Sequence, residues 1–228
     1  MLKEIEKRIL TSLILIPLTF FFIYKGSFIF ILFLIITFFI SSYEWIKMSK
    51  KKKLIKLFGI IFLFLSFYFA YVLRLEHGFK IFLFIILISI LTDIGGYIFG
   101  KTFKGPKLTN ISPKKTYAGL IGSFVLSIIG GLIFVEFMNN FIIDIDFNFI
   151  SFEPSEIRLN LFLLLFISIV SLVSQAGDLV VSYFKRIAKI KDTGKILPGH
   201  GGLLDRIDGI IFVIPFAYIY LKLAIIYW

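Results

Sequence analysis

Seven apolar runs alternate with short polar joints along the 228-residue chain, at about residues 9–24, 28–43, 57–73, 79–100, 117–137, 159–183 and 207–227. Each is close to the roughly 20 residues that a membrane-crossing helix needs. Backbone groups in lipid must pair within their own segment, so the runs predict helices and not open strands. The first two are short and joined only by Lys25, Gly26 and Ser27, which predicts a tight helical hairpin. The expected architecture is all-α, a polytopic transmembrane helical bundle of about seven helices (six to nine). No internal repeat and no Pro- or Ser-rich linker divides it. It is expected to form a single integral membrane domain over 1–228, with N-terminal helices to about residue 75. A second half, about 79–228, carries the unusual polar residues.

Composition strengthens this picture. Hydrophobic residues make up 59% of the chain and include 30 Phe, while charged residues make up 17%, below the roughly 25% of soluble domains. Lipid has to be part of the solvent. The net charge of +11 would raise nucleic-acid binding in a soluble protein, but here its distribution has a simpler use. With the N-terminus in the cytoplasm, 20 of the 25 Lys and Arg residues fall on the cytoplasmic side. The far side receives only Lys25, Arg74, Lys80, Arg158 and Lys222, and its one long loop, about 139–156, is acidic (Asp144, Asp146, Glu153, Glu156). This is the positive-inside pattern, unbroken over seven helices, and no nucleic-acid partner is expected. Lys3, Lys7 and Arg8 before the first apolar run, with no small-residue cleavage site after it, suggest an uncleaved first helix. There is no Cys, which excludes disulfides and thiolate metal sites.

Three polar segments are not explained by membrane insertion. In the first, Asp93 interrupts an apolar run with Tyr97 one turn later on the same face. An ionisable residue at that depth points to function, and Gly95 and Gly96 permit close approach of another backbone. In the second, Ser112, Pro113, Lys114, Lys115 and Thr116 precede the fifth run. Ser112 as N-cap and Pro113 at the first helical position suit a helix start, and a helix N-terminus with two Lys and a Thr suits phosphate as well as it suits a plain basic anchor.

The third segment runs from Ser174 to Asp208. Asp178, Ser182, Lys185 and Lys189 recur at helical spacing and predict one polar stripe on the sixth helix. Asp205 and Asp208, three apart at the entry to the seventh, share a face. Three carboxylates among several cations suggest a hard divalent ion with phosphate ligands. Lys and Arg would neutralise the remaining phosphate charge, and the Gly-rich turn 198–202 offers backbone N–H groups to an anion.

In order, Ser182, Lys185-Arg186, Lys191-Asp192, Pro198-Gly-His200-Gly-Gly202 and Asp205-Arg206-Ile-Asp208 resemble the signature of the phosphatidate cytidylyltransferases, or CDP-diacylglycerol synthases. Every fixed position is present over 27 residues. Residues 93–100 and 112–116 resemble that family's upstream blocks, although the Glu usual after them is Ala118 here. The resemblance spans roughly the C-terminal 140 residues; the first three helices match only in character.

It implies transfer of a cytidylyl group from CTP to phosphatidic acid at the cytoplasmic face of the inner (cytoplasmic) cell membrane. Asp178 and Asp205 would hold Mg2+ with Asp208 in support, and a second cation fits the carboxylate count. Lys185, Arg186 and Arg206 would bind phosphates, as would Lys114, Lys115 and Thr116. Ser182 and His200 would position substrate. Asp93, Tyr97, Lys191, Asp192, Gly201 and Gly202 would complete the substrate contacts. The resemblance also implies a homodimer. The alternatives are another CTP-dependent lipid enzyme such as a polyprenol or phytol kinase, a transporter, or an inactive membrane scaffold.

Overall fold

The structure is a computed structural model that describes residues 2–49, 52–109, 111–141 and 161–227. The acidic residues expected at 144–156, together with Lys50, Lys51 and Arg158, lie outside them. Among the described residues the chain is helical: α1 (Leu2–Lys25), α2 (Ser27–Met48), α3 (Lys53–Phe103), α4 (Tyr117–Phe141), α5 (Leu161–Ile187), the single turn α6 (Leu204–Ile207) and α7 (Ile210–Tyr227). β-pairing among them is limited to two isolated bridges.

Five helices are long and apolar enough to cross a membrane, and Ile210–Leu223 adds a shorter apolar helix. The third and fourth expected spans are continuous in α3, whose 51 residues are interrupted only at Gly78 (φ 77°, ψ 173°). On either side of Gly78 the helical stretches 53–77 and 79–103 each measure roughly 38 Å at 1.5 Å per residue, enough for one crossing apiece of a ~30 Å hydrocarbon layer. Large apolar side chains point outward, with Leu13 67% and Phe28 74% exposed, as expected of surfaces solvated by lipid.

The hairpin of α1 and α2 turns at Gly26 (φ 63°). Arg74 serves the carbonyls that α1 leaves unpaired, its Nε donating to Ile23 O at 3.0 Å and its Nη2 to Tyr24 O at 3.3 Å. A cation at a helix C-terminus is favourable, which accounts for an Arg among the few basic residues expected on the far side.

The helix starts and stops correct two expectations. The N-cap of α4 is Thr116 and not Ser112: Thr116 Oγ1 accepts from Gly119 N at 3.1 Å. Ser112 and Pro113 belong to a turn closed by Lys115 N donating to Ser112 O at 3.0 Å. Pro113 thus serves a turn, where its restricted φ is equally suitable. The polar stripe of α5 ends at Lys185, because Lys189 lies beyond the helix with φ 57°. Ile190 N donates to Lys185 O and Lys189 N to Arg186 O, both at 3.0 Å, which is a Schellman closure with Lys189 at its left-handed position.

The chain divides into two compact units that interleave along the sequence. One is Met1–Leu83 with Gly177–Pro215, and the other is Phe84–Ala176 with Phe216–Trp228. The division therefore falls at different places from the halves expected at 1–75 and 79–228. The first unit is built on Trp45, Met48, Leu63, Val181, Leu204 and Ile211. Trp45 stacks edge-on against Phe184 at 5.1 Å. Pro215 lies within α7 and lacks the N–H that would reach Ile211 O. Ser66 Oγ donates to that carbonyl instead, at 2.7 Å, so the backbone group is not left unpaired in an apolar setting.

The second unit is held by hydroxyls and glycines. Ser89 and Ser174 pair at 2.6 Å, Thr92 Oγ1 donates to Ser171 Oγ at 2.9 Å, and Ser123 Oγ donates to Thr92 O at 2.7 Å. A Cβ on Gly95 would overlap Gly122 O, and one on Gly119 would lie 2.7 Å from Gly96 O. The close approach expected at Gly95 and Gly96 is therefore between α3 and α4.

Candidate active site

The C-terminal turns of α5 bring a Lys into the interior of the first unit. Lys185 Nζ lies 2.9 Å from Asp205 Oδ1 and 3.9 Å from Asp208 Oδ2, with the Lys185 and Asp205 side chains only 10% and 8% exposed. One turn earlier, Ser182 Oγ donates to Asp178 Oδ1 at 3.2 Å. A Cβ on Gly177 would lie 3.0 Å from Asp208 O, so this end of α5 runs against the backbone between α6 and α7. Among the described residues no three acidic or His side chains close into one metal cage. The two carboxylates that share a cation are those of Asp205 and Asp208.

Asp205 is also the organiser of its own loop. Its Oδ2 accepts from Thr193 N at 2.8 Å and Gly202 N at 3.1 Å, and Thr193 Oγ1 lies 3.1 Å from it. Within the Gly-rich turn, His200 N and Gly201 N both donate to Leu197 O, and just beyond it Leu203 N and Leu204 N donate to Glu44 Oε1 and Oε2 at 3.0 and 2.8 Å. Of the N–H groups expected to cradle an anion at 198–202, that of Gly202 serves the protein's own Asp205 carboxylate and those of His200 and Gly201 serve the Leu197 carbonyl. Gly201 has φ 88°, a conformation natural to glycine. Gly202 has no room for a Cβ, which would overlap Thr193 Oγ1 and come 2.7 Å from Glu44 Oε2.

Glu44, absent from the expected site, is the most buried carboxylate of this network at 1% exposed. It stands near the end of α2 and accepts three hydrogen bonds, the third from Thr193 Oγ1 at 2.9 Å. The signal was partly available: Glu44 is an acid at the immediate end of an apolar run, a weaker form of the anomaly that singled out Asp93.

The helix α1 adds further unexpected contacts. Arg8 Nε donates to Gly199 O at 2.8 Å, Thr11 Oγ1 donates to Pro198 O at 2.9 Å, and Ser12 Oγ lies 3.2 Å from His200 Nε2. Arg206 clamps the same turn through two bonds to His200 O at 3.1 and 2.6 Å. Burial, with the neighbouring charges of Arg206 and Arg8, holds the His200 imidazole below its ordinary pKa, against an opposing hydrogen bond to the Pro198 backbone. Arg186, Lys191 and Asp192 are exposed, and Arg186 Nη1 caps α5 through Ile190 O at 3.1 Å.

The remaining expected residues belong to the second unit. Asp93 and Tyr97 are on the exposed face of α3, and the Lys101 ammonium lies 5.6 Å over the Tyr97 ring. Lys114 is exposed, Lys115 and Thr116 are half-buried, and Lys115 Nζ reaches Gln175 O at 3.5 Å.

The sequence matches the cytidylyltransferase family over residues 6–90 and 54–224. It is similar to proteins named phosphatidate cytidylyltransferase, at 42% identity over 161 residues in Staphylococcus saprophyticus and 41% over the same length in Staphylococcus aureus. A Staphylococcus haemolyticus protein of the same name is 40% identical. Each match covers 70% of this chain and 55% of the relative, so the chain spans about half the length of the curated relatives it matches.

Proposed function

The chain belongs to the cytidylyltransferase family, and from that membership and the geometry around Asp205 we propose that it transfers the cytidylyl group of CTP to phosphatidic acid, releasing pyrophosphate and leaving CDP-diacylglycerol. The observation that carries the reading is the buried Lys185–Asp205 pair at 2.9 Å with Asp208 beside it. It joins phosphate-binding and cation-binding chemistry at the polar end of apolar helices.

The residues fit the Mg2+ that the family implies. Asp205 and Asp208 are hard oxygen donors converging on one cationic centre, occupied by the Lys185 ammonium, and one or two carboxylates plus substrate phosphates suit Mg2+. Asp178, next to the residue that abuts the Asp208 backbone, is the third donor in reserve. Held by these carboxylates, Mg2+ would supply positive charge to offset the charge developing on the departing pyrophosphate.

The chain's own work is to bring polyanions together and keep them in line. The Lys185 ammonium, released from Asp205, binds a phosphate oxygen. Exposed Arg186 and Arg206 add charge-assisted donors. Ser182 and His200 position substrate. Phosphatidic acid attacks the α-phosphorus directly, so no covalent enzyme intermediate is required.

The site and the N-terminus belong on the cytoplasmic side of the cell membrane. The support is the charge pattern along the chain, in which 20 of the 25 Lys and Arg residues, Lys185 and Arg206 of the site among them, fall on the side that the N-terminus occupies. Purified protein supplied with Mg2+, phosphatidic acid and CTP labelled at the α-phosphate should place label in lipid. Label confined to soluble nucleotide would overturn the reading, and lipid labelled only from γ-labelled CTP would replace it with a kinase.

A further inference from the structure

Thr193 is the link between two buried carboxylates. Its backbone N–H donates to Asp205 Oδ2 at 2.8 Å, and its hydroxyl lies 2.9 Å from Glu44 Oε2 and 3.1 Å from Asp205 Oδ2. A hydroxyl carries one proton. With the amide already committed to Asp205, that proton serves Glu44. The other Glu44 bonds, from Leu203 N and Leu204 N, hold the residues immediately before Asp205. Glu44 therefore grips the loop at two places, at Thr193 and immediately before Asp205. The fit is tight: a Cβ on Gly194 would overlap Glu44 Oε1, and one on Gly202 would come 2.7 Å from Oε2.

Resting on the reading above, we propose that Glu44 is a positioning residue of the cytidylyl-transfer site, which acts through Thr193 to hold the Asp205 carboxylate in place. It does not touch substrate. Its acidity matters because all three partners are donors. The amide of a Gln could face only some of them with oxygen and would set its NH2 against the rest, leaving a buried donor unpaired. The N-terminal helices thereby gain a part in the chemistry, since a residue of α2 orients a carboxylate that the signature segment contributes.

The test compares Glu44→Gln, Thr193→Val, Thr193→Ser and the double variant Glu44→Gln/Thr193→Val, all in the full chain. Loss of an outer partner of this kind typically costs 10- to 100-fold. Glu44→Gln and Thr193→Val should each lower kcat by about tenfold or more, with KM for CTP changed by less than about threefold. Thr193→Ser, which keeps the hydroxyl, should stay within about threefold of wild type. The double variant should be no slower than the worse single, because both remove the same link.

Deuterium uptake of the 193–205 segment should rise in Glu44→Gln and Thr193→Val and stay low in Thr193→Ser. Additive losses, or a folded Thr193→Val with wild-type kcat and uptake, would overturn the proposal. If Glu44→Gln does not fold, the Thr193 pair still decides. If the wild type transfers no cytidylyl group, the function proposed above fails, and the exchange measurement still judges the linkage.

Discussion

The two units solve the same problem, polar groups inside an apolar molecule, in opposite ways. In the second unit the polar groups are hydroxyls paired with one another or with backbone, at Ser89–Ser174, Thr92–Ser171 and Ser123–Thr92. Neutral pairs of this kind join helices at small cost. The first unit buries hydroxyls too, such as Ser66, but it also buries charges, and the Glu44 and Asp205 carboxylates are each surrounded by donors or a counter-ion. Glu44 has three donors, and Asp205 has two backbone amides plus the Lys185 ammonium. A buried charge is tolerable only when satisfied so completely. Hydroxyl pairs are thus sufficient for packing, whereas charges kept at this expense mark the place where chemistry is expected.

The contrast can be broken most directly at Asp205. Asp205→Asn should reduce cytidylyl transfer by about a hundredfold or more. It should also destabilise the protein by about 3 kcal/mol, because the Lys185 ammonium loses its closest partner. Activity within tenfold of wild type would remove Asp205 from the site. Next comes Gly202→Ala, whose methyl group meets Thr193 and Glu44. It should cost about tenfold or more in kcat, as measured by the same label transfer.

In the second unit the matching change is Gly95→Ala, whose methyl group meets the Gly122 carbonyl. It should lower stability by about 2 kcal/mol through overpacking, read as a lower thermal midpoint in detergent. If Gly95→Ala left stability untouched, the packing role given to these glycines would be wrong.

The smallest effect is that of His200. Its folded-state pKa is depressed, so on acidification the unfolded chain takes up a proton near pH 6.5 before the folded chain does. The stability from a neutral His200 is fully present above about pH 6.5 and declines as pH falls from there toward the folded pKa. The thermal midpoint of wild type should therefore drop slightly more between pH 7 and pH 5 than that of His200→Gln. Parallel curves would show that the imidazole does not contribute.

Much of this was legible in the chain. Apolar runs located each long helix, although α1 begins seven residues before its run and the single turn α6 has none, because lipid demands continuous apolar length and the demand leaves a one-dimensional trace. The signature from Ser182 to Asp208 located the chemistry for a related reason, since its charges stand out against a greasy background. Two local readings failed where alternatives were nearly equal in energy. Pro113 fits a helix start or a turn, and the bond from Thr116 to Gly119 decided between them. Lys189 continued the helical spacing, but the closure at Ile190 ended α5 two residues earlier.

By itself the sequence determined the helical class, the positions of the spans, the family resemblance and the charged segment that carries the site. It could not determine which buried charges meet, because partners such as Glu44 and Leu204, 160 positions apart, leave no spacing to read. Tertiary structure alone revealed that the Gly202 amide of the Gly-rich turn serves the protein's own Asp205 carboxylate and that Lys185 pairs with Asp205. It also brought an acid of α2 into the site. A buried carboxylate takes its donors from whatever chain surrounds it in space, and those neighbours are set by packing rather than by order along the chain.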